Sequence, residues 1–397
     1  AKAEKEAKVE YGTGKGFTIT SPDGASSVKI RGYGQADSRT FFDNSNTSNV
    51  DQFLLRTARV AVDAVIEKDF AAKVMYDFGN NNPKLVDAFL DYKPDTAFNL
   101  RLGKQKSPLG LERWQSEQEL LSVERGMATN LAPTRDIGLL AYGELLPQTL
   151  EYQVGILNGA PDLNDSSTDI TNTKELVGRV FALPFRESET VELQGLGIGV
   201  AGSYGSKDGT TSSTDLTAGY KTPGQANFFT YSANTFADGT SWRINPQGYY
   251  YYGPLGIMAE YILESNEVKN GANKTKLENT AWTAAASYIL TGENASFDGI
   301  KPLENFSIAN GTWGAWEVIG RLGGVDIDNE AFTGNTFASS TASASKAFEK
   351  TIGLNWYINN GLKINTSYSD TSFAGGAAAG ADREDEKVLA TRAQFRF

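Results

Sequence analysis

Residues 388–397, VLATRAQFRF, alternate between apolar and polar side chains up to the last residue of the chain. Because successive side chains of a β-strand point to opposite faces, Leu389 and Phe395 share one face of such a strand, and Arg392 and Gln394 share the other. The first face suits lipid and the second suits water. The segment therefore predicts a strand that separates an apolar phase from an aqueous one.

The same alternation recurs in about sixteen segments of roughly ten residues, the length of a tilted strand that crosses the hydrocarbon layer of a membrane. From the amino end, these segments lie near residues 28–38, 54–66, 69–78, 84–93, 97–105, 137–145, 149–157, 175–186, 196–206, 241–251, 255–263, 279–291, 314–327, 347–358, 362–370 and 388–397. A soluble β-sandwich shows the same alternation, so the pattern alone leaves two fold classes open.

The connections between these segments alternate in length. Short turns are predicted at Glu67–Lys68, Pro94–Asp95, Pro147–Gln148, Gly253–Pro254 and Asn359–Gly361. Long polar connections are predicted near residues 39–53, 106–136, 158–174, 207–240, 264–278, 292–313, 328–346 and 371–387. Short periplasmic turns and long extracellular loops are typical of bacterial outer-membrane barrels.

We therefore predict an all-β fold, a transmembrane antiparallel β-barrel of about 16 strands that spans residues 28–397. Residues 1–27 are expected to form a polar tail or a periplasmic extension, with a short helix or a frayed end over the Ala-, Lys- and Glu-rich residues 1–10.

Composition excludes several functions. The chain has 397 residues but no cysteine and no histidine, so it lacks the thiolate and imidazole groups that serve as nucleophile, general base or zinc ligand. The net charge of −11 argues against nucleic-acid binding, which needs a basic surface to neutralise phosphates. We therefore expect no enzymatic activity, no cofactor, no metal site and no nucleic-acid partner.

Basic residues recur on the polar face of the predicted strands. Unpaired charges cannot line a dry core, so this face is expected to be solvated. Guanidinium and ammonium groups along a solvated channel favour anions, which accept charge-assisted hydrogen bonds from them. The predicted pore-lining residues are Arg31, Arg59, Lys73, Arg101, Arg179, Arg321 and Arg392. The alternative is that carboxylates of the lumen pair with these cations and leave a neutral wall; the candidates are Asp63, Asp87, Asp91 and Glu317.

The connection 106–136 contains KSPLGLERWQSEQELLSVERG at residues 106–126. Its charged side chains, which include Arg113, Glu117, Glu119 and Arg125, are unsuited to a lipid-facing segment. Its helix-forming composition is unusual for an exposed loop. We predict that this loop folds into the barrel and narrows the channel. A solvated surface helix is the alternative.

Several sequence blocks resemble the phosphate-selective porin family, which consists of trimeric sixteen-stranded barrels of Gram-negative outer membranes. The most specific block is SYILTGENASFDGIKPLENF at 287–306, followed by WGAWEVIGRLGGVDID at 313–328 and TIGLNWYINNGLKINTSYSD at 351–370. Earlier blocks that are similar to the family are DQFLLRTARVAVDA at 51–64, LRLGKQKSPLGLER at 100–113 and ERGMATNL at 124–131. The blocks follow the family's order, so the chain is identified as a member of it.

The resemblance implies uptake of small anions, such as phosphate or small organic anions, through a homotrimer embedded in outer-membrane lipid. It places Arg31, Arg59 and Arg101 on strands that carry arginines along the family's channel. It also aligns Lys301 with the lysine of the family's IKP loop.

One departure from the family concerns the inward loop. Gln118, between Glu117 and Glu119, stands where phosphate-selective relatives carry a constriction lysine. This departure predicts weaker phosphate selectivity, because carboxylates beside a narrow channel repel a dianion at close range. A monovalent or organic anion is then the expected solute.

Two other functions remain compatible with the sequence. One is a general diffusion pore without anion preference. The other is a barrel whose long loops serve adhesion or receptor binding while the lumen is closed.

Overall fold

The computed structural model describes residues 6–42, 49–165 and 171–397, which form one large closed sheet. The strands are β1 Lys8–Gly12, β2 Gly16–Thr20, β3 Ser27–Phe42, β4 Gln52–Ile66, β5 Phe70–Asp77, β6 Lys84–Tyr92, β7 Asn99–Gln105, β8 Asp136–Leu146, β9 Leu150–Leu157, β10 Glu175–Ala182, β11 Leu196–Asp208, β12 Tyr220–Lys221, β13 Asn227–Phe229, β14 Phe236–Tyr252, β15 Leu255–Asn270, β16 Asn273–Ile289, β17 Ala315–Asp326, β18 Ala344–Asn359, β19 Leu362–Gly375 and β20 Glu386–Arg396. The helical pieces are α1 Leu111–Trp114 and the 3₁₀ segments Glu117–Glu119, Met127–Leu131, Val191–Leu193, Asn329–Asn335 and Ala378–Gly380.

Sixteen of these strands form an antiparallel barrel that runs from β3 to β11 and from β14 to β20. It closes where β20 pairs with β3, from Lys387 opposite Phe42 to Arg396 opposite Tyr33. The predicted barrel of about 16 strands is therefore confirmed, and each of the sixteen predicted segments overlaps one barrel strand. None of the helices in the described ranges has the length and apolarity needed to cross a membrane.

The alternation predicted for the last strand matches its exposure. Leu389 and Phe395 are exposed on the outer face, whereas Arg392 and Gln394 are buried on the inner face. Apolar residues such as Val62 and Val74 are likewise exposed on the outside of β4 and β5. Such an outer surface is stable only against an apolar medium, because a soluble protein rarely exposes a continuous apolar band.

The amino-terminal segment is a β-hairpin from Lys8 onward, so neither the short helix nor the frayed end expected for residues 1–10 describes residues 8–10, and residues 1–5 lie outside the described ranges. Its strands β1 and β2 pair from Lys8 opposite Thr20 to Gly12 opposite Gly16. Strand β2 then pairs with the first four residues of β3, beyond the point where β20 ends. The hairpin therefore extends the barrel wall past the carboxyl end of the chain.

The two ends of the barrel differ in their connections. One end of the barrel, called the turn end below, carries the turns 67–69, 93–98, 147–149 and 360–361. The opposite end, called the loop end, carries the connection 106–135. The long connection predicted at 264–278 is wrong, because β15 and β16 continue through it to a tight turn at Gly271. These strands reach beyond the apolar band, so their outer face carries polar residues such as Glu267 and Lys269 there, and the alternation with a lipid-facing apolar side disappears.

The long connection near 292–313 lies at the turn end, where a short turn would be typical. It folds back into the lumen. The ring of Phe297 lies 5.3 Å from that of Tyr249, and the backbone oxygen of Phe297 accepts a hydrogen bond of 2.8 Å from the Gln115 amide.

Part of the lumen is a dry core. Buried apolar side chains of the loops, among them Met127, Tyr220 and Phe229, pack against alanine and aliphatic residues on the inner face of β15 to β18. The expectation of a solvated inner face on every strand is therefore wrong for this side. It fails because loops with their own apolar residues fill the space, whereas the β3 to β7 side remains open to water.

Candidate functional site

The connection between β7 and β8, residues 106–135, lies inside the barrel and is called the inner loop below. Its short helix α1 begins against β15, where the Glu260 carboxylate accepts hydrogen bonds from the N–H groups of Leu111 at 2.7 Å and Glu112 at 3.1 Å. A carboxylate at this position satisfies N–H groups that a helix start leaves without partners. Further along the loop, the Ala128 N–H donates to the Thr283 hydroxyl at 2.9 Å.

The far side of the inner loop is held through its backbone carbonyls. Lys363 donates to the Leu120 oxygen and Asn355 to the Leu121 oxygen, both at 2.9 Å. Gln394 donates to the Gln118 oxygen at 3.1 Å. The loop therefore crosses the lumen from β15 to the strands at the barrel closure. Of the two predicted arrangements, it adopts the inward fold and not the solvated surface helix.

Glu124 of the inner loop is the centre of a buried ion cluster. Its carboxylate lies 2.8 Å from Arg39, 2.8 Å from Arg56 and 3.0 Å from Arg392. Burial raises the pKa of the Glu124 carboxyl, but attraction to Arg56, Arg392 and Arg39 outweighs burial and lowers that pKa to about 2. Glu124 therefore stays ionised at every physiological pH and ties the loop to β3, β4 and β20.

Two cavities flank the inner loop. The loop-side cavity has a volume of about 460 Å³ and extends from Arg59 and Glu117 to Lys84 and Asp165 near the loop end. The turn-side cavity has a volume of about 230 Å³ and extends from Gln118 and the carboxyl end of the chain to the amino-terminal hairpin. Both cavities lie on the β3 to β6 side of the barrel.

The loop-side cavity is strongly basic. Eight of its lining residues are cationic and three are acidic. The cations are Arg39, Arg56, Arg59, Lys84, Arg113, Arg125, Arg135 and Lys221, and the acids are Glu117, Glu124 and Asp165. A cavity with such an excess of one charge between low-dielectric walls concentrates counter-ions.

Three cations of this cavity have no carboxylate partner within the described ranges. Arg113 donates to the Thr129 oxygen at 2.9 Å, and Arg125 donates to the backbone oxygen of Glu112. Lys221, on the β12–β13 hairpin, faces the same cavity. Burial and the neighbouring charge of Arg125 lower the pKa of Arg113, which is the direction expected for a cation short of counter-charge.

Arg59 lines both cavities and marks their junction. Its guanidinium lies 2.8 Å from Asp77, directly opposite on β5, and 2.6 Å from Glu117 of the inner loop. It also donates to the Tyr33 hydroxyl at 2.6 Å. Arg59 is therefore the residue that the two cavities have in common.

Of the predicted pore-lining residues, the structure places Arg31 and Arg59 on the cavities. Lys73 and Arg101 lie on the neighbouring strands, where Lys73 pairs with Asp87 at 3.0 Å and Arg101 pairs with Asp91 at 2.7 Å. For these two residues the alternative prediction holds: a carboxylate of the barrel wall neutralises each cation, so neither is an unpaired residue of the pore lining.

Three other predicted pore residues are buried anchors. Arg321 pairs with Glu349 at 2.6 Å and donates to the Glu124 backbone oxygen at 2.7 Å. Arg392 pairs with Asp37 and Glu124. Arg179 donates to the Gln247 side chain at 3.2 Å and packs on the Phe181 ring. Because the inner loop covers these strands, their inward-facing arginines hold protein groups instead of facing the channel.

Lys301 is exposed on the connection between β16 and β17 at the turn end and lines neither cavity. Its assignment to the pore therefore receives no support from its position. The adjacent Ile300 is buried among Ile289, Ala315 and Tyr357, which directs the segment inward.

The predicted constriction residues are all on the inner loop, but their carboxylates are paired. Glu117 contacts Arg59, and Glu119 contacts Arg396. Gln118 lines the turn-side cavity. The expected ring of repelling carboxylates is therefore wrong, because an arginine of the barrel wall compensates each of them.

Sequence reasoning missed Arg39, Arg56 and Lys221. Arg56 is an extra residue in a β-bulge, since Gln35 pairs with Thr57 and Ala36 pairs with Leu55. A bulge reverses the parity of alternation, so counting from Arg59 assigns Arg56 to the wrong face. Arg39 lies just past the predicted end of its strand, and Lys221 lies in a loop that shows no strand pattern.

Comparison with known proteins agrees with this architecture. The sequence profile of the family "Phosphate-selective porin O and P" matches residues 28–397. Porin O of Pseudomonas aeruginosa is 27% identical over 386 residues, which cover 89% of this chain and 84% of that protein.

Solved structures show the same fold at low identity. The anion-selective porin from Comamonas acidovorans is 11% identical with a TM-score of 0.58, over 94% of this chain and 100% of that one. The trimer form of OmpT from Vibrio cholerae is 12% identical with a TM-score of 0.57, over 94% and 100%. With the profile match across nearly the whole barrel, the closed sixteen-stranded wall and the inner loop, the chain belongs to the phosphate-selective porin O and P family and is a porin of the bacterial outer membrane.

Proposed function

We propose that this porin is a passive channel for small anions, such as phosphate or small organic anions. The observation that carries the proposal is the excess of cations in two cavities that meet at Arg59. Arg113, Arg125 and Lys221 form no ion pair with a carboxylate of the described ranges, so their charge is available to a solute. Several moderate contacts in sequence let an anion enter and also leave.

In this proposal the protein acts only as a channel and catalyses no reaction. The cationic side chains of the cavities are arginines and lysines that pair with carboxylates, donate to backbone oxygens or face water, and the chain contains no histidine. The proposal includes a homotrimer in outer-membrane lipid, which the family membership supports. OmpT of Vibrio cholerae, which shares the fold, has been solved in a trimer form.

The proposal is tested by ion selectivity. With the purified porin in a planar bilayer and a tenfold gradient of potassium chloride, we expect a reversal potential close to the chloride equilibrium potential. Phosphate or a small dicarboxylate added to the same bilayer should reduce the chloride current by competing for the cationic cavity. A reversal potential near zero would establish a general pore, one on the potassium side would contradict the proposal, and absence of conductance would favour an adhesive barrel.

The lowered pKa of Glu124 predicts how the inner loop responds to acid. A carboxyl group whose pKa falls from about 4.5 in the unfolded chain to about 2 in the folded one gives its full stabilisation above the unfolded value and loses it as the pH falls through the folded value. We expect the permeability to neutral sugars of graded size to be constant from pH 7 to about pH 4 and to rise only toward pH 2. A rise centred near pH 4.5 would show that the arginine cluster does not hold this carboxylate.

A further inference from the structure

The outer wall of the barrel carries an apolar groove on the side that faces away from the channel. The strands β9, β10, β11 and β14 form this groove, which has a volume of about 910 Å³ and is called the outer groove below. Six of its lining side chains are large, apolar and exposed, namely Val154, Leu176, Val180, Val200, Tyr204 and Ile244. Because this wall faces membrane lipid, the outer groove is open to the hydrocarbon layer.

Two glycines on neighbouring strands form the floor of the outer groove. Gly178 of β10 pairs with Gly202 of β11, and both lie on the outward-facing side of their strands. The next outward-facing residues along these two strands all have large side chains, and they are Leu176, Val180, Val200 and Tyr204. The groove is therefore a place where two adjacent side chains are missing from an otherwise filled apolar wall.

The backbone does not require glycine at residue 178. Within the described ranges, a Cβ atom added at Gly178 would approach no atom more closely than the backbone oxygen of Gln153, at 3.8 Å. A glycine inside a strand weakens the strand, because it has no side chain to pack, and such a glycine often marks a site that a ligand approaches closely. The open space above Gly178 is thus available to a molecule outside the barrel.

The outer groove lies just inside the loop-end edge of the apolar band. Toward the loop end, the residues that follow Leu176 and Tyr204 on the outward-facing side are Lys174 and Ser206, both exposed. A lipid with an acyl chain in the groove would therefore place its head group beside Lys174. Because long loops of outer-membrane barrels face the outside of the cell, this lipid belongs to the outer leaflet, which lipopolysaccharide forms.

We propose that the outer groove binds one acyl chain of lipopolysaccharide. Gly178 and Gly202 let the chain approach the backbone of the wall, where it gains van der Waals contacts along its length that large side chains would prevent. Lys174 lies at the level of the lipid A phosphates, which accept charge-assisted hydrogen bonds from an ammonium group. The site is independent of the solute that the channel carries, because its residues face away from the lumen.

Binding of purified lipid A to the delipidated porin in a mild detergent, counted per chain by native mass spectrometry, tests the outer groove. In Gly178→Leu the new side chain fills the groove. We expect the lipid A concentration for half occupancy to rise at least about fivefold, because about two methylene groups of the acyl chain lose their apolar contact. Gly178→Ala adds only a methyl group in open space and should raise this concentration about twofold, so the test does not depend on the leucine variant alone.

Gly320→Leu is the matched control. Gly320 is also an exposed glycine inside a strand, on the outward-facing side of β17, but it lies outside the outer groove. In the part of the chain that the structure describes, no atom lies within 4 Å of a Cβ added at this residue. We expect its half-occupancy concentration to stay within twofold of the wild type. The chloride conductance of all three variants should equal that of the wild type, which shows that the barrel is folded.

Three outcomes would overturn the proposal. Equal weakening by Gly178→Leu and Gly320→Leu would show that any added bulk on the outer wall disturbs lipid binding. Phosphatidylethanolamine that binds as tightly as lipid A, and is displaced equally by Gly178→Leu, would assign the groove to phospholipid. A changed oligomeric state of Gly178→Leu, without a change in lipid A binding, would show that this face is a contact between copies of the chain.

Discussion

Arg59→Ala is expected to lower the ratio of chloride to potassium permeability by at least about fivefold. A unit charge about 5 Å from a passing ion contributes about 1 kcal/mol in bulk water and about 3 kcal/mol at an effective dielectric constant of about 20. The substitution also leaves Asp77 and Glu117 without their shared cation at the junction of the two cavities. Two carboxylates that have lost this ion pair repel anions and attract potassium more strongly than in the wild type. Reversal potentials in a salt gradient measure the change.

Arg101→Ala is the control for this experiment. Arg101 is also paired with a carboxylate of the neighbouring strand, but it lies outside both cavities, and its partner Asp91 retains Lys93 at 3.4 Å. We expect its selectivity to equal that of the wild type, whereas Glu117→Gln should raise the chloride preference by leaving Arg59 less compensated. If Arg59→Ala and Arg101→Ala shift the reversal potential equally, the junction has no special role.

Glu124→Ala is expected to reduce the free energy of unfolding by about 3–5 kcal/mol, the cost of removing one partner from a buried ion pair. The glutamate is 6% exposed, and three arginines converge on it, so the truncation leaves Arg56 without its carboxylate and weakens the compensation of Arg39 and Arg392. Denaturant unfolding of the reconstituted barrel, followed by tryptophan fluorescence, measures the loss.

Asp63→Ala provides the comparison for Glu124. Asp63 pairs with a single arginine, Arg31, and both side chains are 31% exposed. A pair that solvent screens to this extent contributes about 1 kcal/mol or less. Similar losses in the two variants would show that the Glu124 cluster is no stronger than a solvated pair and does not hold the inner loop.

The anchoring of the inner loop explains how a polar segment leaves its cations available for solutes. The barrel wall holds the loop through backbone oxygens, as at Leu120 and Leu121, and through carboxylates, of which Glu124 binds three arginines. Within the part of the chain that the structure describes, the side chains of Arg113 and Arg125 donate hydrogen bonds only to backbone oxygens of the loop itself. Their positive charge therefore acts on solutes in the adjoining cavity, because no carboxylate of the barrel wall forms an ion pair with it.

The sequence by itself determined the features that depend on neighbouring residues. Alternation with a period of two identified sixteen strands and showed that Leu389 faces lipid and Arg392 faces inward, because facing in a strand is a local property. It also gave Asp87 and Asp91 as carboxylates that could neutralise lumen cations, and the structure pairs them with Lys73 and Arg101. The sequence did not predict the full length of β15 and β16, because strand residues outside the membrane need no apolar side chains on their outer face.

Only the tertiary structure decided which cations face the solute. Arg321 and Arg392 share the inward parity of Arg59, yet they bind Glu349, Asp37 and Glu124 because the inner loop covers their strands. Arg392 and Glu124 are 268 residues apart in the chain, and Arg396 and Glu119 are 277 apart. Coulomb compensation depends on distance in space, so no pattern along the chain reveals whether an inward-facing arginine is already paired or remains free to bind an anion.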